Sequence, residues 1–199
     1  MSRRAEKVGG IILAAGAARR FGAQKLLAPL GGRPLLQHVI EAANASGLET
    51  IVLVVGADAD AILAGVTAGR ARVVRNPDHA SGQASSLHAG VRAFAADVDA
   101  ALLMLGDVPG ITPALLDALC AKQRETGAAA VMSRWSERRM PPALLHRGLW
   151  ADVLALSGDI GMREALAGRS DVADVEVTSA LGSLDDVDTR EDHARLSRS

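Results

Sequence analysis

Three apolar runs in this chain have strand length but do not alternate: Ile11-Ile12-Leu13, Ile51-Val52-Leu53-Val54-Val55 and Leu102-Leu103-Met104-Leu105. A strand with one solvated face alternates apolar and polar side chains, so these runs must be covered on both faces, as parallel strands under helices are. The runs extend to strands over Val8 to Ala14, Thr50 to Val55 and Ala100 to Leu105, with further strands at Arg72 to Val74 and Ala128 to Met132. Helical spacing fills the gaps. Pro34 opens a helix over Leu35 to Ala45 and Gly47 closes it. Another helix runs from Asp58 to Ala68, with Gly69 after it; Thr112-Pro113 caps one that reaches about Glu125 and stops near Gly127. This rhythm predicts an α/β chain with a mostly parallel sheet between two helical layers, as one domain over 1–199 with no internal boundary.

From Ser133 to Leu145 the pattern breaks into an expected irregular hairpin or flap with Pro141-Pro142. Short helices are expected over Arg147 to Leu156, Ile160 to Ala167 and Arg190 to about Leu196. Composition removes several partner classes. A net charge of −1 lacks the basic footprint of a protein that holds nucleic acid or an anionic membrane. Aromatics at 2%, with no Tyr, leave no stacking platform for single strands. No apolar stretch approaches the ~20 residues of a membrane span. The lone Cys120 excludes an internal disulfide, is expected in a helix core, and has no Cys or His cluster around it for zinc. Ser2-Arg3-Arg4 superficially suggests a signal, but the apolar run after it is closed by Arg19-Arg20 rather than a small-residue cleavage site, so a cytoplasmic address is expected.

The densest chemical signal follows the first strand: Leu13-Ala14-Ala15-Gly16-Ala17-Ala18-Arg19-Arg20-Phe21-Gly22-Ala23-Gln24-Lys25. Small residues let the backbone approach a ligand, and Arg20 and Lys25 bring two cations to a loop at a strand's carboxyl end, where α/β sheets bind ligands. By itself the loop is either a phosphate cradle or an ordinary basic turn. It is neither Walker A nor the dinucleotide glycine fingerprint. Gly106-Asp107-Val108-Pro109 places a carboxylate after another strand, suited to Mg²⁺ or to a turn. Asn76-Pro77-Asp78-His79-Ala80-Ser81-Gly82-Gln83-Ala84-Ser85-Ser86-Leu87 runs into a helix ending near Phe94, where Ser81 and Ser85 are candidate caps or base contacts. Asp159, in Gly158-Asp159-Ile160-Gly161-Met162-Arg163, is a candidate N-cap. Asp188, in Asp186-Val187-Asp188-Thr189, is a candidate cap for the helix that follows.

The first of these segments resembles the Leu-Ala-Ala-Gly-x-[Ser/Gly]-x-Arg-[Met/Phe]-Gly-x-x-Lys-Leu-Leu signature of MobA-like nucleotidyltransferases, and within them the molybdenum cofactor cytidylyltransferases. The likeness continues through Leu26-Leu27 and Pro34-Leu35-Leu36, with Ala18 departing from the usual Ser or Gly. It implies a Rossmann-like α/β/α sandwich of the nucleotide-diphospho-sugar transferase type. It also implies a nucleotide site of Leu13, Ala14, Ala15, Gly16, Arg20, Lys25, Gly82, Ser86 and Asp107, with Arg20, Lys25 and Asp107 catalytic. Gln83 is a further contact from the same loop. Metal ligation falls to Asp107, in the family's Gly-Asp-x-Pro turn, and to Asp188. Mg²⁺ is the expected ion, with Mn²⁺ the alternative. The flap and the 158–163 segment resemble the family's second-substrate region, with Met140 where Gly is common and Met162 where Ala is common.

The implied reaction is attack of an acceptor phosphate oxygen on the α-phosphorus of CTP, with loss of pyrophosphate and no protein nucleophile. The implied acceptor is molybdopterin bearing molybdenum, and a molybdenum hydroxylase is the implied recipient of the product. Guanylyl relatives have Leu-Ala-Gly-Gly, so Ala15 favours the smaller pyrimidine. Rival readings are a guanylyltransferase, a cytidylyl- or uridylyltransferase for sugar or polyol phosphates, and a non-catalytic maturation factor that binds and delivers the cofactor.

Overall fold

The computed structural model describes residues 6–16, 21, 24–94, 96 and 98–198, apart from the side chains of 163 and 164. In chain order its strands are β1 (Val8–Ala14), β2 (Pro29–Leu30), β3 (Arg33–Pro34), β4 (Thr50–Val55), β5 (Arg72–Arg75), β6 (Ala100–Leu105), β7 (Ala130–Trp135), β8 (Arg138–His146) and β9 (Val172–Glu176). The helices are α1 (Leu35–Ala45), α2 (Ala59–Gly65), α3 (Gln83–Arg92), α4 (Pro113–Thr126), α5 (Trp150–Leu154), α6 (Met162–Ala165) and α7 (Arg190–Leu196). Seven strands form one sheet in the order β5-β4-β1-β6-β8-β7-β9, parallel except for β8, while β2 and β3 make a small separate hairpin.

The two-faced burial expected of β1 is realised residue by residue. Ile12 packs with Leu36, Ile40, Ile62 and Leu116 on the face covered by α1, α2 and α4. Ile11 and Leu13 pack with Leu87, Val91, Val153 and Met162 on the face covered by α3, α5 and α6. Each face is a separate apolar core, which gives the three-layer α/β/α arrangement. The close approach of α3 to β1 depends on Gly90, where a Cβ would lie 2.6 Å from Ile11 Cγ2.

The sheet departs from expectation at its far side. Ser133 to Leu145 is not irregular: β7 and β8 pair antiparallel, with one register shift between Met132 and Ser133 and a cis Pro141-Pro142 bond. Their turn uses Ser136 and Glu137 at φ 47° and 68°, the left-handed geometry of a tight hairpin reached without the usual Gly or Asn. Strand β9 carries Val-Ala-Asp-Val-Glu, whose half-buried, partly polar pattern gives no strand signal. Three helices are shorter than expected. The one expected over Asp58 to Ala68 ends at Gly65, and the two after β8 shrink to Trp150–Leu154 and Met162–Ala165. Among the described residues no helix is long and apolar enough to cross a membrane.

Candidate functional site

The chain leaves β1 for β4 and β5 on one side and returns to β6 on the other, so β1 and β6 flank the point where strand order reverses. Loops diverge at such a point and leave a crevice at the strands' carboxyl ends. Here Leu13 pairs with Leu105 and Ala14 with Val55, which brings the loops after β1, β4 and β6 to one edge. They open on a cavity of about 730 Å³ lined by Leu13, Ala14, Ala15, Gly16, Lys25, Gly82, Gln83, Ser86 and Asp107. Sequence reasoning named each of these nine residues. Arg20 lies outside the described residues.

Local folding explains how the two central charges arrive. The Gln24 side chain accepts from the Leu26 backbone N–H at 3.3 Å and caps the 3-10 turn Lys25–Leu27, whose Leu26 is buried. That turn aims Lys25 back at the sheet edge. After β6, the Gly106 N–H donates to the Leu13 carbonyl at 3.0 Å, and a Cβ there would lie 2.9 Å from Leu36 Cδ1, so the turn carrying Asp107 sits tightly on the core. Lys25 Nζ lies 2.7 Å from Asp107 Oδ2 and 2.8 Å from Asp188 Oδ1. Burial opposes the Lys25 charge, but Asp107 and then Asp188 outweigh it and hold the ammonium above its ordinary pKa. Burial, then Asp188 and Asp107, push the neighbouring Asp186 carboxyl above its usual range.

Asp188 is not a cap. Thr189 takes that role, its hydroxyl accepting from the Asp192 N–H at 3.1 Å while Asp192 accepts from the Thr189 N–H at 2.9 Å. This capping box frees the Asp188 side chain for Lys25. Asp107 and Asp188 therefore converge on one cation from positions far apart in sequence. Mg²⁺ takes one or two protein carboxylates and completes its shell with phosphate and water, a donor set that these two fit. Among the described residues no group of three or more His, Cys, Asp or Glu is arranged to hold a metal, so ligand phosphates would supply the remaining oxygens.

The other wall is the loop before α3. Ser81 and Ser85 are not N-caps: their hydroxyls donate to the Asp78 and Gly82 carbonyls at 2.7 and 2.8 Å. The N-cap position is Gly82, at φ 108° and ψ 174°. Buried Asn76 organises the loop instead, donating to Ser85 Oγ at 2.8 Å and to Ser86 Oγ at 3.0 Å. A Cβ on Gly82 would lie 2.3 Å from the Gly158 carbonyl, and the Ala84 N–H donates to that same oxygen at 3.1 Å. Two loops distant in sequence are thus docked. Asp159 is consequently no cap for α6, which starts at Met162; it lines the nucleotide-sized cavity, together with Ala57 and His79. Ala57 escaped sequence reasoning, although its place just after β4 beside the switch point was a usable signal.

A second cavity of about 440 Å³ adjoins the first through Leu13, Gln83 and Leu105. Its floor is apolar, with Leu87, Leu103, Met140 and Met162; Trp135, Arg138 and Arg139 come from the β7–β8 hairpin, and Asp185 and Asp186 from the opposite side. Arg139 is engaged by Asp174 through two bonds at 2.8 and 2.9 Å.

Residues 10–175 match the MobA-like NTP transferase domain family. Nicotine blue oxidoreductase of Paenarthrobacter nicotinovorans is 35% identical over 196 residues, spanning 95% of this chain and 96% of that protein. Among solved structures, a homologue of Mycobacterium tuberculosis Rv0371c from Mycobacterium sp. strain JC1 is 30% identical, with TM-score 0.84 over 96% of this chain and 95% of that one. Rv0371c of M. tuberculosis H37Rv in complex with manganese is 25% identical, with TM-score 0.78 over 97% and 99%. Molybdopterin-guanine dinucleotide biosynthesis protein A from Archaeoglobus fulgidus has the same fold at 20% identity, with TM-score 0.74 over 96% and 97%.

Proposed function

This chain belongs to the MobA-like NTP transferase family and is a nucleotidyltransferase, and from that premise we propose that it transfers CMP from CTP to the terminal phosphate of molybdopterin bearing molybdenum. One nucleotidyltransferase domain, acting in the cytoplasm, carries both substrate sites. The observation that carries the reading is the Lys25 contact with Asp107 and Asp188 at the mouth of a cavity walled by the Ala15-Gly16 loop and by Gly82 with the first turn of α3. Asp107 and Asp188 would hold Mg²⁺ or Mn²⁺, which supplies charge neutralisation at the phosphates. The loop amides after β1, with Arg20 and Lys25, bind the triphosphate; Ala15 narrows the base end toward a pyrimidine. Asp159, on the same wall, is a carboxylate of the kind that accepts from the amino group of cytosine. An acceptor phosphate oxygen attacks the α-phosphorus, the bond to the β-phosphate oxygen breaks, and pyrophosphate leaves. The protein contributes alignment and fixed charge. The second cavity takes the acceptor's ring system on its apolar floor, with Arg138 near an anionic group. A molybdenum hydroxylase would receive the product.

The near whole-chain relative named nicotine blue oxidoreductase favours one other reading, redox turnover of nicotine blue in the second cavity. That chemistry leaves the Asp107–Lys25–Asp188 arrangement without a task. The deciding assay measures pyrophosphate release with CTP, GTP, UTP and ATP in Mg²⁺, with and without molybdopterin bearing molybdate, beside nicotine blue bleaching by a reduced nicotinamide dinucleotide. Release with CTP only when acceptor is present supports cytidylyl transfer. Bleaching without release from any nucleotide overturns it.

A further inference from the structure

The strongest unexplained feature is where Lys25 sits. A lysine that serves only a triphosphate needs no carboxylate partners; this one lines the cavity but is held between two carboxylates, its side chain only 15% exposed. Resting on the reading of the cavity as a metal-dependent nucleotidyl-transfer site, we propose that Lys25 is a tethered cation that competes with the metal for Asp107 and Asp188. Incoming phosphates draw the ammonium off the carboxylates and open the position, so that metal is held firmly only once nucleotide is bound. The physical basis is exclusion. Mg²⁺ needs carboxylate oxygens at ~2.0–2.1 Å, and an ammonium bonded to one oxygen of each carboxylate occupies the space between them and repels the added charge. The lysine stem is long and flexible enough to turn toward a phosphate while its loop stays in place. The same contact ties the segment before α7 to the body of the site, alongside the Val187 N–H, which donates to the Asp107 carbonyl at 3.1 Å.

The test is Mn²⁺ binding without nucleotide, followed by the loss of the free-ion electron paramagnetic resonance signal, in the wild type, Lys25→Met and Lys25→Arg. The proposal expects Lys25→Met to bind Mn²⁺ about tenfold or more tighter than wild type, and Lys25→Arg, which keeps the cation, to remain weak. A purely phosphate-binding lysine would leave the affinity unchanged, and equal or weaker binding by Lys25→Met overturns the proposal. A second readout on the wild type does not depend on the variant folding. Saturating Mn²⁺ should speed acetylation of Lys25, read by mass spectrometry, because the displaced amine becomes accessible; an unchanged rate overturns the proposal. Absence of Mn²⁺ binding in every form, with CTP present as well as without it, would defeat the metal-dependent reading itself, whereas equal binding without CTP defeats only the competition.

Discussion

Replacing Gly82 by Ala should damage nucleotide binding far more than it damages the fold. Gly82 sits at φ 108° and ψ 174°, a region essentially confined to glycine and costing any other residue about 1–3 kcal/mol. The new Cβ would also meet the Gly158 carbonyl carbon and oxygen at 2.3 Å, so the two loops must part and the 3.1 Å bond from the Ala84 N–H is lost, worth about 0.5–1.5 kcal/mol. Together these come to about 3 kcal/mol if the docked arrangement is enforced. The cheaper response is undocking, because neither loop is part of the sheet. The cost then falls on ligand binding, up to about two orders of magnitude in CTP affinity, with little change in Tm. Gly158→Ala is the control: its φ is 64°, but its Cβ meets nothing within 4 Å, so only the left-handed strain of about 1 kcal/mol applies. Calorimetric CTP titration and thermal melts of both variants decide the matter. Equal losses of affinity, or a large fall in Tm with unchanged affinity for Gly82→Ala, would refute the reasoning.

Asp107→Ala should abolish turnover while leaving the melt close to wild type, checked by pyrophosphate release and circular dichroism; retained activity would sink its metal role. Arg70 donates to the carbonyls of Leu48 at 2.7 Å and Ser46 at 2.9 Å beyond the end of α1, as well as to Asn44 and Ala43, so Arg70→Met should cost about 1–3 kcal/mol and lower Tm measurably. Burial pushes the Cys120 thiol up to about 11 from an ordinary 9.0. Iodoacetamide at pH 8 should therefore spare it in the folded protein and label it in urea. The sign of its linkage follows: between pH 9 and 11 the folded state keeps a proton that the unfolded state has lost, so this thiol's contribution to stability falls as pH rises, and Cys120→Ala should flatten that slope.

Where both faces of a strand are buried, the sequence carries its own boundaries, which is why β1, β4 and β6 match the expected strands end to end. Strand β9 was not legible for the opposite reason, since half-buried positions admit polar residues; the β7–β8 hairpin was expected but not its regular pairing, because the tight turn at Ser136 and Glu137 lacks the residues that usually announce one. At the site, loops that directly follow β1 and β6 could be placed because strand ends fix them. The partnership of Lys25 with Asp188 could not, since the two are 163 positions apart and local patterning sees only the capping box at Thr189. Asp159 fails similarly. In sequence it precedes a helix and suggests a cap, but the contact between Gly82 and Gly158 turns it toward the cavity.

The central claim is that this cavity moves a cytidylyl group, and following the label from CTP radiolabelled at its α-phosphate tests it most directly. With Mg²⁺ and molybdopterin bearing molybdate, label should appear in the acceptor with wild type and be absent with Asp107→Ala. Label that stays in CTP with wild type, or reaches the acceptor equally well with Asp107→Ala, would contradict the account.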